Sequence, residues 1–296
     1  MKIAAIDIGS NAARLQISSI LEDDGKISFK KVEYIRFPLR LGLEVFNGGI
    51  ISPEGEVRIH KMLHSFKLLM ELHEVKEYQI CATSAMREAT NAQEIIDRIQ
   101  GILDMKIHVI EGAREAELIN NVVVMALDPT KNYLHIDVGG GSTELNLYQN
   151  LEKTASRSFK IGSVRLLEGK DVTADWQKME RWIEDHINPN SDQISAVGTG
   201  GNINKLFNIS TEKISDISMS ISELERIQKF VASYSLADRI NKLRLNADRA
   251  DVIVPASKIY ISAMQKAGAT EIIVPDLGLK DGIIKMIYER MQARKR

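Results

Sequence analysis

The chain has 296 residues, which at about 150 residues per domain suggests one large domain or two of ordinary size. Its 39 Lys and Arg nearly balance its 40 Asp and Glu, which argues against a globally basic nucleic-acid-binding protein. The single cysteine, Cys81, excludes an internal disulfide, and no run approaches the roughly 18 to 20 apolar residues of a membrane span. We therefore expect a soluble, cytoplasmic protein that binds neither nucleic acid nor membrane.

The first part of the chain is predicted to begin with three short strands and to continue with alternating helices and strands. Residues 2–8 are apolar except at Lys2 and Asp7, which is typical of a buried strand. Farther along, Ser52 followed by Pro53 fits the start of a helix, because serine caps helices and proline is favoured at the first position. The predicted strands are 2–8, 12–20, 26–36, 78–83 and 106–110, and the predicted helices begin at residues 53, 91 and 113.

The same order of elements then restarts, which predicts a duplicated domain. Asp7 and Asp137 stand at equivalent points of the two copies, 130 residues apart. A period of that length indicates two related domains rather than the short unit of a repeat protein. We predict domains over residues 1–128 and 129–296, with a last helix that can pack back on the first domain. In the second copy the predicted strands are 133–138, 143–148, 153–160, 194–197 and 271–274, and the predicted helices are 176–187, 220–246, 250–267 and 279–291.

Both copies carry an acidic residue on a buried strand followed by a glycine-containing turn. The first motif is Asp7-Ile-Gly9-Ser10-Asn11, and the second is Asp137-Val-Gly139-Gly140-Gly141-Ser142-Thr143-Glu144. Glycines allow backbone amides to approach an anion closely, and the serine and threonine hydroxyls add donors. A carboxylate would repel a bound phosphate, so the acidic residues make sense with a divalent cation, for which Mg²⁺ fits. An ordinary β-hairpin explains either motif alone.

A third glycine motif, Gly198-Thr-Gly200-Gly201, follows a predicted strand and precedes a predicted helix. Anions and nucleotides bind at such a helix N-terminus. The motif has neither the glycine spacing of a dinucleotide-binding fold nor the lysine of a P-loop, so neither of those sites is predicted.

Two further segments contribute candidate side chains. In Glu111-Gly-Ala-Arg-Glu115-Ala-Glu117, which opens a helix, Glu115 is our choice to orient a water, although spacing alone does not separate it from Glu111. Acidic residues are also common in a first helical turn for electrostatic reasons alone. Arg87 has the planar guanidinium that binds phosphate oxygens. The alternative role for Arg87 is a surface ion pair with a neighbouring acidic residue. A basic groove would have to be assembled from dispersed residues such as Arg14, Arg40 and Arg87.

Together these motifs resemble the exopolyphosphatase and guanosine pentaphosphate phosphohydrolase (Ppx/GppA) family of the actin-like, ribonuclease-H-like ATPase superfamily. The resemblance runs nearly end to end, in the order that the family has. Its carriers are Asp7-Ile-Gly-Ser-Asn-Ala-Ala-Arg14, Leu39-Arg-Leu-Gly42, Ala82-Thr-Ser-Ala-Met-Arg87, Glu111-Gly-Ala-Arg-Glu115, Asp137-Val-Gly-Gly-Gly-Ser-Thr-Glu144, Gly198-Thr-Gly-Gly201, Arg249-Ala-Asp-Val-Ile-Val-Pro255 and Asp276-Leu-Gly-Leu-Lys-Asp-Gly282.

The resemblance implies an α/β fold of two ribonuclease-H-like domains that face each other across a cleft, each with a mixed five-stranded sheet and flanking helices. It also implies that Glu115 is the catalytic glutamate, that Asp137 and Glu144 bind magnesium, and that Arg87 lies at the cleft. We include Asp7 among the metal ligands. The residues expected to bind phosphate are Gly9, Ser10, Asn11, Arg14, Arg87, Gly139, Gly140, Gly141, Ser142, Thr143, Gly198, Gly200 and Gly201.

The expected activity is Mg²⁺-dependent hydrolysis of the terminal phosphoanhydride of inorganic polyphosphate, by a protein that can form a homodimer. Removal of the terminal phosphate of guanosine pentaphosphate is the alternative within the same reaction class, because both substrates present a terminal anhydride. A different class, an actin-like nucleotide-binding protein that works by domain closure or assembly, also fits the duplicated turns.

Overall fold

The computed structural model describes residues 1–188 and 193–294. Its chain divides into two compact units, one formed by Met1–Val122 with Leu279–Arg296 and the other by Val123–Gly278. The last helix therefore belongs with the first unit, although it is separated from it in sequence.

The first unit is built on a five-stranded mixed sheet in the order β3-β2-β1-β4-β5. The central strand β1 pairs antiparallel with β2 and parallel with β4. All of β1 except Lys2 is buried, as the apolar run predicted. The strands are β1 Lys2–Ile8, β2 Ala13–Asp23, β3 Lys26–Phe37, β4 Glu77–Ala82 and β5 Ile107–Val109.

Helices flank this sheet. Ser52 caps the longest of them as predicted, because its side chain accepts a hydrogen bond from the Gly55 amide. Two short helices were not predicted from the positions of glycine and proline. They are α1, which follows β3, and α3, which follows β4. The helices are α1 Leu41–Gly48, α2 Pro53–Leu72, α3 Ser84–Glu88, α4 Ala92–Leu103, α5 Gly112–Val123 and, from the end of the chain, α13 Leu279–Ala293.

The sheet of the second unit has seven strands in the described residues, in the order β10-β11-β12-β9-β6-β7-β8. Five of them, β8-β7-β6-β9-β12, repeat the order and directions of the first sheet, which confirms the predicted mixed sheets with flanking helices. The expectation of five strands here was wrong, because a short hairpin of β10 and β11 extends the edge beside β12. The strands are β6 Asn132–Val138, β7 Thr143–Gln149, β8 Glu152–Phe159, β9 Ile194–Thr199, β10 Lys213–Ser215, β11 Ser218–Ser220 and β12 Glu271–Ile273.

The helices of the second unit pack around a continuous apolar core that includes much of the helix before β12. One predicted helix, 220–246, is instead divided, because Tyr234 is extended and Ser235 caps a new helix by accepting from the Asp238 amide. No helix in the described ranges is both long and apolar enough to cross a bilayer. The helices are α6 Ser163–Leu167, α7 Thr173–His186, α8 Gly201–Ile209, α9 Ile221–Ser233, α10 Leu236–Asn241, α11 Ala247–Ala250 and α12 Ile253–Ala267.

Candidate functional site

The two glycine motifs form the same tight turn in the two units. In the first turn, residues 9–12, the Gly9 amide donates to the Ala12 carbonyl over 3.1 Å. In the second turn, residues 139–142, the Gly139 amide donates to the Ser142 carbonyl over 2.9 Å. Each turn joins the central strand of its sheet to the next antiparallel strand, so the predicted duplication extends to single hydrogen bonds.

The carbonyl groups of the first turn are held by the residues that open α1. Gly42 N donates to Ser10 O over 2.7 Å, and Arg40 N donates to Asn11 O over 2.9 Å. Arg40 adopts a left-handed conformation, with φ of 58°, to enter the helix. Within the described residues the amides of Ser10 and Ala12 make no hydrogen bond to another backbone group. The turn therefore directs its carbonyls toward α1 and keeps these amides as donors.

The second turn is held in the same way by the start of α6. Gly162, directly before this helix, packs so closely on the turn that a Cβ there would collide with the backbone of Gly140. Among the described backbone groups, the amides of Gly140, Gly141 and Ser142 have no backbone acceptor. Donors are what an anion-binding cradle must supply. The carbonyl contacts are Ser163 N to Gly139 O at 3.0 Å, Val164 N to Gly140 O at 2.9 Å and Arg165 Nε to Gly141 O at 2.6 Å.

Two hydroxyl groups expected to bind phosphate take part in contacts within their own unit. Ser10 Oγ lies 2.7 Å from Ser84 Oγ, and both side chains are buried. Thr143 donates to the Ile161 carbonyl over 2.6 Å. The hydroxyl of Thr143 is therefore used to hold the chain after β8, and a role of Thr143 in phosphate binding stays a prediction.

Charged residues flank the first turn as a cross-strand pair. Asp7 on β1 stands opposite Arg14 on β2, and an Arg14 guanidinium nitrogen lies 2.7 Å from Asp7 Oδ2. The Asp7 side chain is only 8% exposed, so a fixed positive charge neutralises it in a poorly solvated place. The role of Asp7 as a metal ligand stays a prediction, and the ion pair gives it a second role in orienting Arg14.

The equivalent pair beside the second turn consists of two carboxylates. Asp137 on β6 stands opposite Glu144 on β7, and Glu144 is buried and accepts a hydrogen bond from Ser158 over 2.8 Å. Burial and the charges of these two acids raise the pKa of Tyr260 well above its usual value. Two adjacent carboxylates with hydroxyl groups beside them form a set of hard oxygen donors, which fits Mg²⁺.

A metal with only two protein carboxylates is consistent with the rest of the described chain. No group of three or more His, Cys, Asp or Glu side chains that could hold a metal occurs in residues 1–188 and 193–294. Mg²⁺ commonly takes one or two carboxylates and completes its shell with waters and substrate phosphates. A dedicated protein cage is therefore not required for the predicted ion.

The third glycine motif approaches the end of β6, beside the second turn of the same unit. It lies between β9 and α8, as predicted, and Gly200 has φ of +110°, which side chains other than hydrogen rarely allow. A Cβ on Gly200 would lie 3.3 Å from both Asp137 Oδ1 and the Tyr260 hydroxyl. Gly200 must therefore be glycine for its backbone angle and for its approach to the acidic pair, whereas Gly198 is packed against Ile272.

In the first unit, the start of α5 brings Glu115 near Cys81, the residue beside Asp7 on the next strand. The pKa of Cys81 is raised to about 12, mainly by burial. The charges of Asp7 and Glu115 also raise it, whereas the charge of Arg114 lowers it. Cys81 is the neighbour of Asp7 in the β1–β4 register, so both carboxylates lie at this end of the sheet. The same pKa keeps Cys81 a neutral thiol, which suits a structural role.

The alternatives to Glu115 lie in exposed ion pairs. Glu117 contacts Arg114 at 2.6 Å, and Glu111 is 80% exposed and lies 3.9 Å from Arg87. Glu115 is more buried than either. This difference in burial favours Glu115 over Glu111, which spacing alone did not separate.

The guanidinium of Arg87 is engaged at the segment that leads into α5. Its Nη1 donates to the Ile110 carbonyl over 2.6 Å, and the side chain is 21% exposed. Arg87 thereby ties α3 to the start of α5, the helix that carries Glu115. Its role in phosphate binding stays a prediction, to be carried by the remaining donors of the fork.

Sequence reasoning gave no role to several polar residues of the second unit. Tyr260 on α12 donates to the Thr199 carbonyl and accepts from the Val138 amide over 3.3 Å, so it clamps the ends of β6 and β9. Its separation from both strands in sequence left no local signal. His135 is fully buried, and burial lowers its pKa to about 3. A polar residue two positions before Asp137 in an apolar strand was a signal that could have been used.

The comparisons with known proteins show the family to which the chain belongs. The chain belongs to the Ppx/GppA phosphatase family, whose model matches residues 20–291, and this confirms the resemblance. Members of this family are phosphatases that hydrolyse phosphoanhydride bonds. A crystal structure of an exopolyphosphatase from Cytophaga hutchinsonii is 25% identical, covers 98% of both chains and has a TM-score of 0.82.

Other relatives are also similar to this chain over nearly its whole length. A Ppx/GppA member from Aquifex aeolicus covers 98% of both chains with a TM-score of 0.73 and 24% identity, which bears on the fold alone. A bifunctional 3-dehydroquinate synthase/phosphatase of Fusobacterium nucleatum is 27% identical over 98% of this chain. A guanosine-5'-triphosphate,3'-diphosphate pyrophosphatase of Photobacterium profundum is 26% identical over 97% of it. This chain spans 46% and 59% of the lengths of those two relatives.

Proposed function

We propose that this chain hydrolyses the terminal phosphoanhydride of inorganic polyphosphate and releases orthophosphate. The observation that carries the proposal is the pair of turns in which helix donors take the carbonyls and leave amides for an anion. Family membership supplies the reaction class. The similarity to a solved exopolyphosphatase over 98% of both chains supports polyphosphate as the first substrate to test.

In the second unit we assign the metal role to Asp137 and Glu144. Phosphatases of this family generally depend on a divalent metal. Mg²⁺, when bound, neutralises the charge of phosphate oxygens. The amides of residues 140–142 would donate to the same oxygens, and Gly200, which has no Cβ, keeps the position beside Asp137 free of a side chain. Most of the rate enhancement would come from such positioning and charge stabilisation, as in other phosphoryl transfers.

In the first unit we assign Glu115 to the attacking water. Its carboxylate would accept a proton from the water as the oxygen attacks phosphorus and the bridging oxygen leaves with its electron pair. Such base assistance is typically worth about 10² to 10⁴ in rate. Arg14, held by Asp7, and the amides of the first turn would bind phosphate oxygens.

Guanosine pentaphosphate is the second candidate substrate. The observation in its favour is the set of relatives named guanosine-5'-triphosphate,3'-diphosphate pyrophosphatases, which are 25–27% identical over 97–98% of this chain. Both substrates offer a terminal anhydride to the same donors.

We keep the cytoplasm as the proposed compartment, since the lone buried Cys81 has no need of an oxidising one.

The deciding experiment compares phosphate release from long polyphosphate, tripolyphosphate, guanosine pentaphosphate and ATP, with Mg²⁺ and with a chelator. We expect long polyphosphate to be the best substrate and the chelator to abolish release. Faster release from guanosine pentaphosphate would replace the first candidate by the second. Activity on ATP alone, or nucleotide-dependent assembly without hydrolysis, would overturn both.

The role of Glu115 is tested by Glu115→Gln, which keeps the size of the side chain and removes the base. We expect turnover to fall by about 10² to 10⁴ with an unchanged melting temperature. The matched control is Glu117→Gln on the exposed side of the same helix, which loses only a surface ion pair and should keep near-normal turnover. Near-normal phosphate release by Glu115→Gln would remove Glu115 from this role.

A further inference from the structure

A row of four polar side chains crosses the sheet of the second unit, and the proposed reaction makes no use of it. We call His135, Asn146, Ser156 and Thr199 the histidine row. His135 and Asn146 are 0% exposed and Thr199 is 1% exposed, so these three side chains are shielded from water, whereas Ser156 lies at the exposed end of the row. Buried polar groups normally have at least one hydrogen-bond partner, as these three have. The contacts are Ser156 Oγ to Asn146 Oδ1 at 2.7 Å, Asn146 Nδ2 to His135 Nδ1 at 3.0 Å and His135 Nε2 to Thr199 Oγ1 at 2.9 Å.

The placement of the Asn146 amide, with Oδ1 toward Ser156 and Nδ2 toward His135, sets the direction of the contacts to the imidazole ring. The amide nitrogen of Asn146 can only donate, so Nδ1 of His135 must accept. The hydrogen of the neutral ring then lies on Nε2, which donates to the hydroxyl oxygen of Thr199. Thr199 therefore acts as an acceptor toward His135 and keeps its own hydroxyl hydrogen for a different acceptor.

The strand register places the histidine row one step along the sheet from the acidic pair. His135 precedes Asp137 by two residues, so both side chains lie on one face of β6. Because His135 contacts Thr199 across that face, the Thr199 side chain lies on it as well. Thr199 is also the register partner of Asp137. The Asp137 carboxylate is thus the neighbouring acceptor on the same face.

We propose that His135 is a positioning residue, which acts through the hydroxyl of Thr199 to fix the orientation of the Asp137 carboxylate for metal binding. The inference rests on the proposed function in one respect, the assignment of Asp137 as a metal ligand. Hydrogen bonds from such outer partners orient metal ligands, and their loss typically costs about 10- to 100-fold in metal affinity.

The first unit supports the link between the row and the metal. At the positions 130 residues earlier, Ala5 stands in place of His135 and Gln16 in place of Asn146. Gln16 Nε2 donates instead to Asp281 on α13 over 3.0 Å. The unit whose turn is flanked by the Asp7–Arg14 ion pair therefore has no histidine row at the matching place, and the unit with two carboxylates has one.

The test measures binding of Mn²⁺ alone to the metal-free protein by electron paramagnetic resonance, with the apparent Mg²⁺ requirement of phosphate release as a second measure. Thr199→Val removes the hydroxyl at nearly constant volume, and we expect affinity to fall about tenfold. Thr199→Ser should restore it. Thr154→Val, on the exposed surface of β8, is the matched control and should change nothing. Folding is checked by thermal melting.

A double-mutant cycle separates positioning from simple packing. If His135 acts through Thr199, His135→Gln should weaken binding in the wild-type background and add little to Thr199→Val. In the ¹⁵N spectrum of the imidazole we expect the Nε2–H tautomer. An Nδ1–H tautomer, or unchanged Mn²⁺ and Mg²⁺ constants in a folded Thr199→Val protein, would overturn the inference.

Asp137→Asn tells the failure of this inference from that of the proposed function. Loss of metal binding in Asp137→Asn with normal binding in Thr199→Val would overturn the role of His135 alone. Normal metal binding in Asp137→Asn would overturn the metal role of Asp137, and the inference with it.

Discussion

The first and second turns share a backbone and differ in charge. In both, a glycine amide closes the turn and the helix after the third strand takes the carbonyls. Beside the first turn the cross-strand pair is Asp7 with Arg14, and beside the second it is Asp137 with Glu144. The backbone of the turn is therefore duplicated, whereas the positive charge of Arg14 beside the first turn is replaced by the negative charge of Glu144 beside the second.

This difference shows two solutions to one electrostatic problem. A carboxylate beside a phosphate is repelled unless a positive charge lies between them or next to them. In the first unit the cation is part of the chain, since Arg14 lies 2.7 Å from Asp7. In the second unit an acid occupies the equivalent position, so on the proposed function a cation from solution would be needed there. The second unit should therefore set the metal requirement of the whole protein.

The largest effect that tests this comparison is expected from neutralising one acid of each pair. Asp137→Asn should raise the Mg²⁺ concentration for half-maximal phosphate release by more than about 100-fold, above the usual cost of losing an outer partner. Asp7→Asn should leave the Mg²⁺ requirement unchanged and raise KM, because Arg14 loses the carboxylate that orients it. Mg²⁺ titrations of phosphate release at saturating polyphosphate measure the metal requirement of both variants, and polyphosphate titrations at saturating Mg²⁺ measure KM.

Equal shifts in the two variants would contradict the comparison and support the predicted metal role of Asp7. The control is Asp175→Asn, on the surface of α7, which loses only an exposed contact with Lys178. Its Mg²⁺ requirement should match that of the wild type, since surface ion pairs contribute little.

A smaller effect is expected from the glycines that anchor the two turns. A Cβ on Gly162 would meet backbone atoms of Gly140 and Gly141, which cannot move without displacing the second turn. A Cβ on Gly42 would meet the Phe46 ring at 2.8 Å, which can rotate away, and Ser10 Cβ at 3.1 Å, which needs a shift of only a few tenths of an ångström. Gly162→Ala should therefore lower the free energy of unfolding by about 1–3 kcal/mol, as other overpacked positions do.

The matched substitution is Gly42→Ala, for which we expect less than about 1 kcal/mol, because alanine is also the better helix former. Urea unfolding of both proteins measures the difference. Equal costs at the two positions would show that α1 and α6 hold their turns with similar rigidity, contrary to the contacts described above.

Much of the fold could be predicted from local pattern, because the elements that carry the turns are local. The apolar run before Asp7 and the glycines that follow it place a strand and a turn within a few residues. The duplication was visible for the same reason, since it repeats such a local pattern. The β10–β11 hairpin was not predicted, because its two three-residue strands are too short to show a period.

The candidate site was predictable in its residue types and not in its contacts. Asp7 pairs with Arg14 because of the β1–β2 register, and that register could not be read directly from the sequence. Tyr260 and Thr199 meet only because α12 packs against the ends of β6 and β9. Spacing in sequence carries no information on such long-range contacts, so the roles of the buried polar residues emerge only in three dimensions.

The smallest effect is expected at a buried position where the two units carry different polar side chains, Ser18 in the first and Tyr148 in the second. Ser18 in the first unit is buried and receives a hydrogen bond from Gln16 over 3.3 Å. Tyr148, 130 residues later, is fully buried, and its hydroxyl has no hydrogen-bond partner among the described residues. Removing an unsatisfied buried hydroxyl costs no protein contact and removes a desolvation penalty of about 1–3 kcal/mol.

Tyr148→Phe should therefore leave the free energy of unfolding unchanged or raise it, by up to about 1 kcal/mol once part of the penalty is recovered. Tyr133→Phe is the matched substitution on the neighbouring strand, where the hydroxyl accepts from the Asp128 amide over 3.1 Å. It should cost about 1 kcal/mol, the usual net value of one hydrogen bond. Urea unfolding decides between them, and a destabilised Tyr148→Phe protein would mean that an ordered water or ligand satisfies this hydroxyl in solution.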